Sequence, residues 1–138
     1  MRPSALKTIL RLRKLDRDAA QRGFADAIAI EDAATQSRVR AERTVADELS
    51  CAIQADEGSA SRLALVDWLP TGRVEVENQR QLEARASASV YNSREHLIGH
   101  QVGLAAVETI AAARRSSLQE RLRKAEIAML QEASLRRI

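Results

Sequence analysis

Val90-Tyr91-Asn92-Ser93-Arg94-Glu95-His96-Leu97-Ile98-Gly99-His100-Gln101-Val102-Gly103-Leu104 carries the repeat that organises the second half of this chain. Val90, Leu97, Leu104, Ala111, Leu118 and Ala125 stand seven residues apart over five steps. A seven-residue apolar period holds one stripe of a helix toward one partner, so the stretch reads as a coiled-coil seam. The positions three residues further on, Ser93, His100, Val107, Arg114 and Arg121, are poorer. After Leu118 the better row is Leu118, Leu122, Ala125 and Met129, the change of phase that a stutter produces. The pattern predicts a helix over about 73–137 with a thinly filled seam.

Upstream lies a break. Glu57-Gly58-Ser59-Ala60-Ser61 is rich in turn formers, and Leu69-Pro70-Thr71-Gly72 is a second stop signal. Between them Arg62-Leu63-Ala64-Leu65-Val66-Asp67-Trp68-Leu69 is the most hydrophobic segment, expected as a short helix capped by Ser59 or Ser61 within a bend over 58–72. Trp68, Leu69 and Pro70 are the candidate bend-packing residues. Trp68 either plugs the corner where two arms meet or offers an exposed contact to a partner. Before the break, residues 4–57 contain no Pro and no strand alternation, which predicts one long, uneven amphipathic helix. Phe24 with Ile28, and Val45 with Leu49 and Ile53, repeat at i, i+4; between Glu31 and Arg38 the seam rests on Ala33 and Ala34.

Arms of about 55 and 65 residues would be roughly 80 and 100 Å long, and neither stands alone, because a lone amphipathic helix is marginal in water. A short break lets them fold back, so the expected fold is all-α: an antiparallel two-helix coiled-coil hairpin, a single domain over 1–138 with a short helical bend. Composition agrees. The apolar fraction is 45% with Ala its largest part, and aromatics are 2%, too few for the middle of a globular core. Folding back also joins the charged ends. Residues 1–17 hold six basic groups against Asp16, and residues 114–138 hold seven against three acids. Residues 18–57 run the other way, with nine acids against four arginines. A net charge of +3 thus becomes a strongly basic pole where the termini meet.

Little in the chain suggests chemistry. His96 and His100 share a helix face, but the order is not His-Glu-x-x-His and the chain has 2 His, so a seam or surface role is expected for both and no metal site. Cys51, the single cysteine, excludes an internal disulfide and is expected as a buried, inert thiol. No Gly-rich phosphate loop, Ser/His/Asp set or paired carboxylates can be assembled, and a thin helical pair has no concave site. Neither catalytic residues nor a cofactor are expected; the chain reads as non-enzymatic. No apolar run approaches a membrane span and no signal-peptide core is present, which makes a cytoplasmic protein the expectation.

The segment from Ser4 to Arg22 points to a role. Taking Leu6 as zero and about 100° per residue, its aliphatic side chains spread over an arc of roughly 220°, wider than one seam needs. Leu12 and Leu15 turn away from Leu6 and Leu10 and are expected to be exposed. The pattern Leu6-x-x-Ile9-Leu10-Arg11-Leu12-Arg13-x-Leu15-x-x-x-Ala19-Ala20-x-Arg22 resembles the start of the flagellar FliJ family and of its YscO-like relatives in virulence type III secretion. Chain length, two long helices and Trp68-Leu69-Pro70 at the turn extend the likeness in outline.

That resemblance implies a monomeric coiled-coil stalk of a protein export apparatus, serving flagellum biogenesis and hence motility. Its joined termini would enter the ring of a hexameric export ATPase and promote ring assembly and activity. The stalk would also touch the cytoplasmic domain of the membrane export gate and escort export chaperones, lying at the inner membrane only through these partners. Carried onto this sequence, the ATPase-ring contacts would be Leu6, Arg11, Leu12, Arg13, Lys14 and Leu15, with Arg121, Leu122 and Arg123 opposite. A basic pole with surplus apolar surface suits a ring lined by acidic groups, since complementary charge speeds and orients docking. The rival readings are a nucleic-acid-binding coil and a purely structural coiled-coil adaptor. Against nucleic acid, the basic residues alternate with leucines and no aromatic stacking residue lies among them.

Overall fold

The structure, a computed structural model, describes residues 2–137, and for Pro3 the backbone alone. The chain is all-α: two long helices, α1 (Pro3–Gln54) and α2 (Ala60–Arg136), pack against each other, with no strand among the described residues. None of these helices is long and apolar enough to cross a membrane. By packing, the chain divides into two units. One is Ala20–Leu97; the other joins the segment up to Ala19 with the segment from Ile98 onward.

In the Ala20–Leu97 unit the seam keeps to steps of three and four, alternating strictly on α2 and, on α1, with a second step of four from Val45 to Leu49. On α2, Leu69, Gly72, Val76, Gln79, Glu83, Ala86, Val90, Ser93 and Leu97 are all buried or half-buried. On α1 the covered row runs through Ala20, Phe24, Ala27, Glu31, Ala34, Arg38, Ala41, Val45, Leu49 and Ala52. This corrects the i, i+4 pairs: Ile28 is 37% and Ile53 74% exposed, while Ala27 and Ala52 take the seam places. The reason is geometric. Steps of four advance about 400° and drift off the seam by about 40° each, whereas alternating three and four holds the stripe in place. Ala33 is likewise exposed, and Glu31 and Arg38 fill the gap with their aliphatic stems.

Ala55–Ser59 is the connection, and its hydrogen bonds close both helix ends. Ser59 is the cap: its Oγ accepts from the Arg62 amide at 3.3 Å. The Arg62 guanidinium reaches back to the end of α1, Nε donating to the Ala52 carbonyl at 3.0 Å, which also accepts from the Ala55 amide at 3.2 Å, and Nη2 donating to the Ile53 carbonyl at 3.3 Å, an acceptor the helix end leaves open. Gly58 turns the chain at φ +71°. A side chain at that angle is strained, so Gly58→Ala is expected to cost about 1–2 kcal/mol. A urea-melt midpoint unchanged by this substitution would show that the connection relaxes to another turn.

The second stop signal does not act. α2 runs unbroken from Ala60 through Pro70 to Arg136, so the bend over 58–72 contracts to the connection and the expected short helix is the first part of α2. Pro70 has no amide hydrogen, so Val66 loses one helical donor; with Pro70 on the exposed side of the helix, water reaches that carbonyl. Downstream, Trp68 folds along its own helix over Gly72, a position with no side chain to obstruct it. The local cost of Pro and Gly is offset by the packing of Trp68, Leu69 and Gly72, all at least half-buried.

Candidate interaction site

The unit formed by the segment up to Ala19 and that from Ile98 onward holds all nine residues expected as ATPase-ring contacts. Leu6 is 8% exposed and Leu104 4% exposed; Ile9, Leu10, Val107 and Ala111 are half-buried, and these make its small core. Leu12 and Leu15 are 54% and 57% exposed, on the far side of α1 from Leu6, as the helical wheel predicts. Arg11 and Lys14 are exposed with them.

Arg13 behaves differently. A Cβ built on Gly103 would lie 3.2 Å from an Arg13 Nη, so the guanidinium passes close over the α2 backbone at this glycine. Arg13 is exposed like Arg11 and Lys14, but its guanidinium leans over α2 at Gly103 while Arg11, Leu12 and Leu15 face away.

Leu6, Lys7, Leu10, Arg114, Arg115, Leu118 and Arg121 line one cleft between the two helices of this unit. It combines an aliphatic floor with a rim of basic side chains. Of the three α2 residues expected opposite α1, Arg121 lines the cleft, while Leu122 is 61% exposed and Arg123 pairs with Glu120 at 3.0 Å. Consecutive helical residues stand about 100° apart, so Arg121, Leu122 and Arg123 cannot share a face. Lys7, Leu10, Arg114, Arg115 and Leu118 were not singled out as contacts; the register that places them opposite Leu6 is set by the packing of the two helices.

The heptad row stops being a seam within this unit. Residues 112–137 are all exposed, including Leu118 at 56%, Leu122 at 61% and Met129 at 71%. Of the expected seam, Leu118 keeps only a place at the edge of the cleft it shares with Leu6 and Leu10, while Ala125 and the row continuing to Met129 are exposed, with no described segment over them. Arg136 pairs with Glu132 at 2.9 Å along the same helix, a solvated contact worth a few tenths of a kcal/mol at most.

The other unit contains a four-member ion network. Arg38 Nε donates to Glu83 at 2.7 Å, Arg38 Nη1 to Glu42 at 2.8 Å and Arg80 to Glu42 at 3.2 Å. As the α1 position advances from 38 to 42, its α2 partner recedes from 83 to 80. The hydrogen bond from Arg38, then that from Thr35, holds Glu83 below the usual carboxylate range. Glu42 is lowered chiefly by the hydrogen bond from Arg80, with Arg38 assisting, and Arg38 is raised by Glu83 and then Glu42. Both carboxylates bind protons less readily folded than unfolded. Their contribution to stability is therefore complete above the ordinary glutamate value of about 4.3 and is lost as pH falls through the lowered folded values. Thermal melts from about pH 6 down to about pH 3 should show this loss, and a Glu42→Gln/Glu83→Gln variant should show a flatter profile. Equal slopes for the two proteins would exclude the network as the source.

Trp68 and Leu69 are half-buried and Pro70 is exposed, but all three lie inside α2, so only the first two pack and none forms the turn itself. Cys51 is exposed, contrary to the buried thiol expected, because its neighbour Ala52 occupies the seam and places Cys51 about 100° away. His100 is half-buried in the seam row and His96 is exposed. Among the described residues no three His, Cys, Asp or Glu side chains group as metal ligands.

Comparisons with protein-family models, with curated proteins and with solved structures give no match to this chain.

Proposed function

We propose that the chain is a FliJ-like antiparallel two-helix coiled-coil hairpin, a non-enzymatic stalk of a type III protein export apparatus. Its basic end enters the hexameric export ATPase, promotes ring assembly and activity, and connects the ATPase to the export gate and to export chaperones. The observation that carries this reading is the pairing, in one unit, of α1's basic, leucine-rich start with α2's basic end around a shared apolar cleft. Each segment alone is an ordinary amphipathic helix. Together they present more apolar surface than the two helices hide from each other, rimmed by cations, which suits docking inside an acidic ring. The receding partner positions of the ion network support the antiparallel sense.

The test uses a purified type III export ATPase. Arg11→Glu/Arg13→Glu/Lys14→Glu is expected to abolish stimulation of ATP hydrolysis and retention in a pull-down while far-UV helicity is kept. Arg11→Glu/Lys14→Glu, which spares the Arg13 contact with Gly103, separates docking from packing and should lose most of the stimulation too. Full stimulation by either folded variant would sink the proposal. If the wild-type chain instead bound DNA with an affinity falling steeply with salt, the nucleic-acid reading would replace it.

A further inference from the structure

The Ala20–Leu97 unit carries a groove that the stalk reading does not use. Two adjoining depressions share Thr44 and Trp68: one continues along α1 and α2 to Arg40, Gly72 and Glu75, the other to Glu48, Cys51 and Ala64. On α2 the lining runs from Ser61 to Glu75, about 21 Å of helix or four turns. Trp68, lying over Gly72, is an aromatic platform between the two depressions, and Ala52, Ala64 and Leu65 supply aliphatic wall.

The charge of the lining is uneven. Glu48 is exposed, and Glu75 accepts only a neutral donor, Gln79 Nε2, at 2.8 Å. The one lining cation, Arg40, turns its Nε to the Gln36 carbonyl at 3.4 Å. Around the groove residues 44–77 hold seven acids against Arg62 and Arg73, and Arg62 is engaged with the α1 carbonyls. An indole face beside unneutralised carboxylates attracts a cation through its quadrupole and through simple charge, while the aliphatic wall takes the stem of a long basic side chain.

We propose that this groove docks a basic amphipathic helix of a partner protein, with an arginine or lysine of that helix seated on Trp68 within reach of Glu48 and Glu75. Four turns of groove match a helix whose anchors continue the i, i+3/i+4, i+7 pattern to i+11 and i+14. The occupant differs in charge from the acidic ring expected at the basic end, so the two surfaces select different partners, and the inference stands whether or not the ATPase is one of them.

Trp68 and Cys51, the single tryptophan and single cysteine, both line the groove and report directly on it. The probe is a synthetic amphipathic helix of about 18 residues, free of Trp, with arginines between leucines, compared with the same peptide carrying glutamates. The full chain is expected to show saturable change in Trp68 emission and protection of Cys51 from alkylation with the arginine peptide alone, weakening with salt. Glu48→Gln/Glu75→Gln should weaken binding about tenfold, and Trp68→Phe about threefold to fivefold, without loss of helicity. Equal binding of both peptides, or an affinity unmoved by the charge-removing variant, overturns the proposal. So does a Trp68 signal that depends on protein concentration without peptide, which assigns the groove to a second copy of this chain.

Discussion

Leu104→Ala is expected to lower the unfolding free energy by about 2–3 kcal/mol, read as a fall in the urea midpoint at unchanged slope. Leu104 is 4% exposed, lower than any other aliphatic residue larger than alanine in the described core. Truncation removes three carbons and leaves a void that a two-helix seam closes only partly, hence the lower part of the usual range for Leu→Ala. The loss should be local: amide exchange in residues 6–15 should rise, because α1 there has few other large partners. Leu122→Ala is the control. At 61% exposed with no described segment over it, it should change stability by less than about 0.5 kcal/mol. Similar losses for both would mean that Leu122 is covered in solution, which would make the end of α2 an occupied surface.

Gly72→Ala opposes two effects. Glycine inside a helix costs about 1 kcal/mol relative to alanine, so the substitution gains that much where space allows. Here the added Cβ would lie 2.6 Å from one indole carbon of Trp68 and 2.8 Å from another, so the ring has to leave its place. The ring borders the open groove and can move there only by giving up its packing along the helix, and displacement of this kind is expected to cost about 1–3 kcal/mol. The steric term is expected to win, giving a net loss of about 1 kcal/mol and a red-shifted, more quenchable Trp68 emission. In a Trp68→Ala background the clash is gone, and Gly72→Ala should then stabilise by about 1 kcal/mol. A stabilising effect in both backgrounds would show that the indole does not lie over Gly72.

The same contact explains where the linear sequence misleads. Pro70 and Gly72 are both breakers by local rule, yet α2 passes through them, because a breaker only raises the local cost of a helix. Whether that cost is met depends on Trp68, Leu69 and Gly72 packing, which a local rule does not contain. Of the i, i+4 sets, Phe24, Val45 and Leu49 lie in the seam, whereas Ile28 and Ile53 do not, because the seam selects by angle and not by size and accepts Ala27 and Ala52. Cys51 and Ala125 follow, the first displaced by its neighbour and the second left without a facing segment among the described residues.

What the sequence determined by itself is the secondary structure and its period. Alanine-rich composition, long stretches without strand alternation and the row Val90, Leu97, Leu104 dictate two long helices and their mutual face, since these properties depend only on spacing along one chain. The exposed pair Leu12 and Leu15 was legible for the same reason. Only the tertiary structure decided which residues of one helix meet which of the other: Arg38 with Glu83, Arg13 over Gly103, and Leu6 in one cleft with Arg114, Leu118 and Arg121. Relative register is a property of two surfaces packed together, and a helix of uniform period, filled largely with alanine, offers many nearly equal registers until its charged and large residues find their partners.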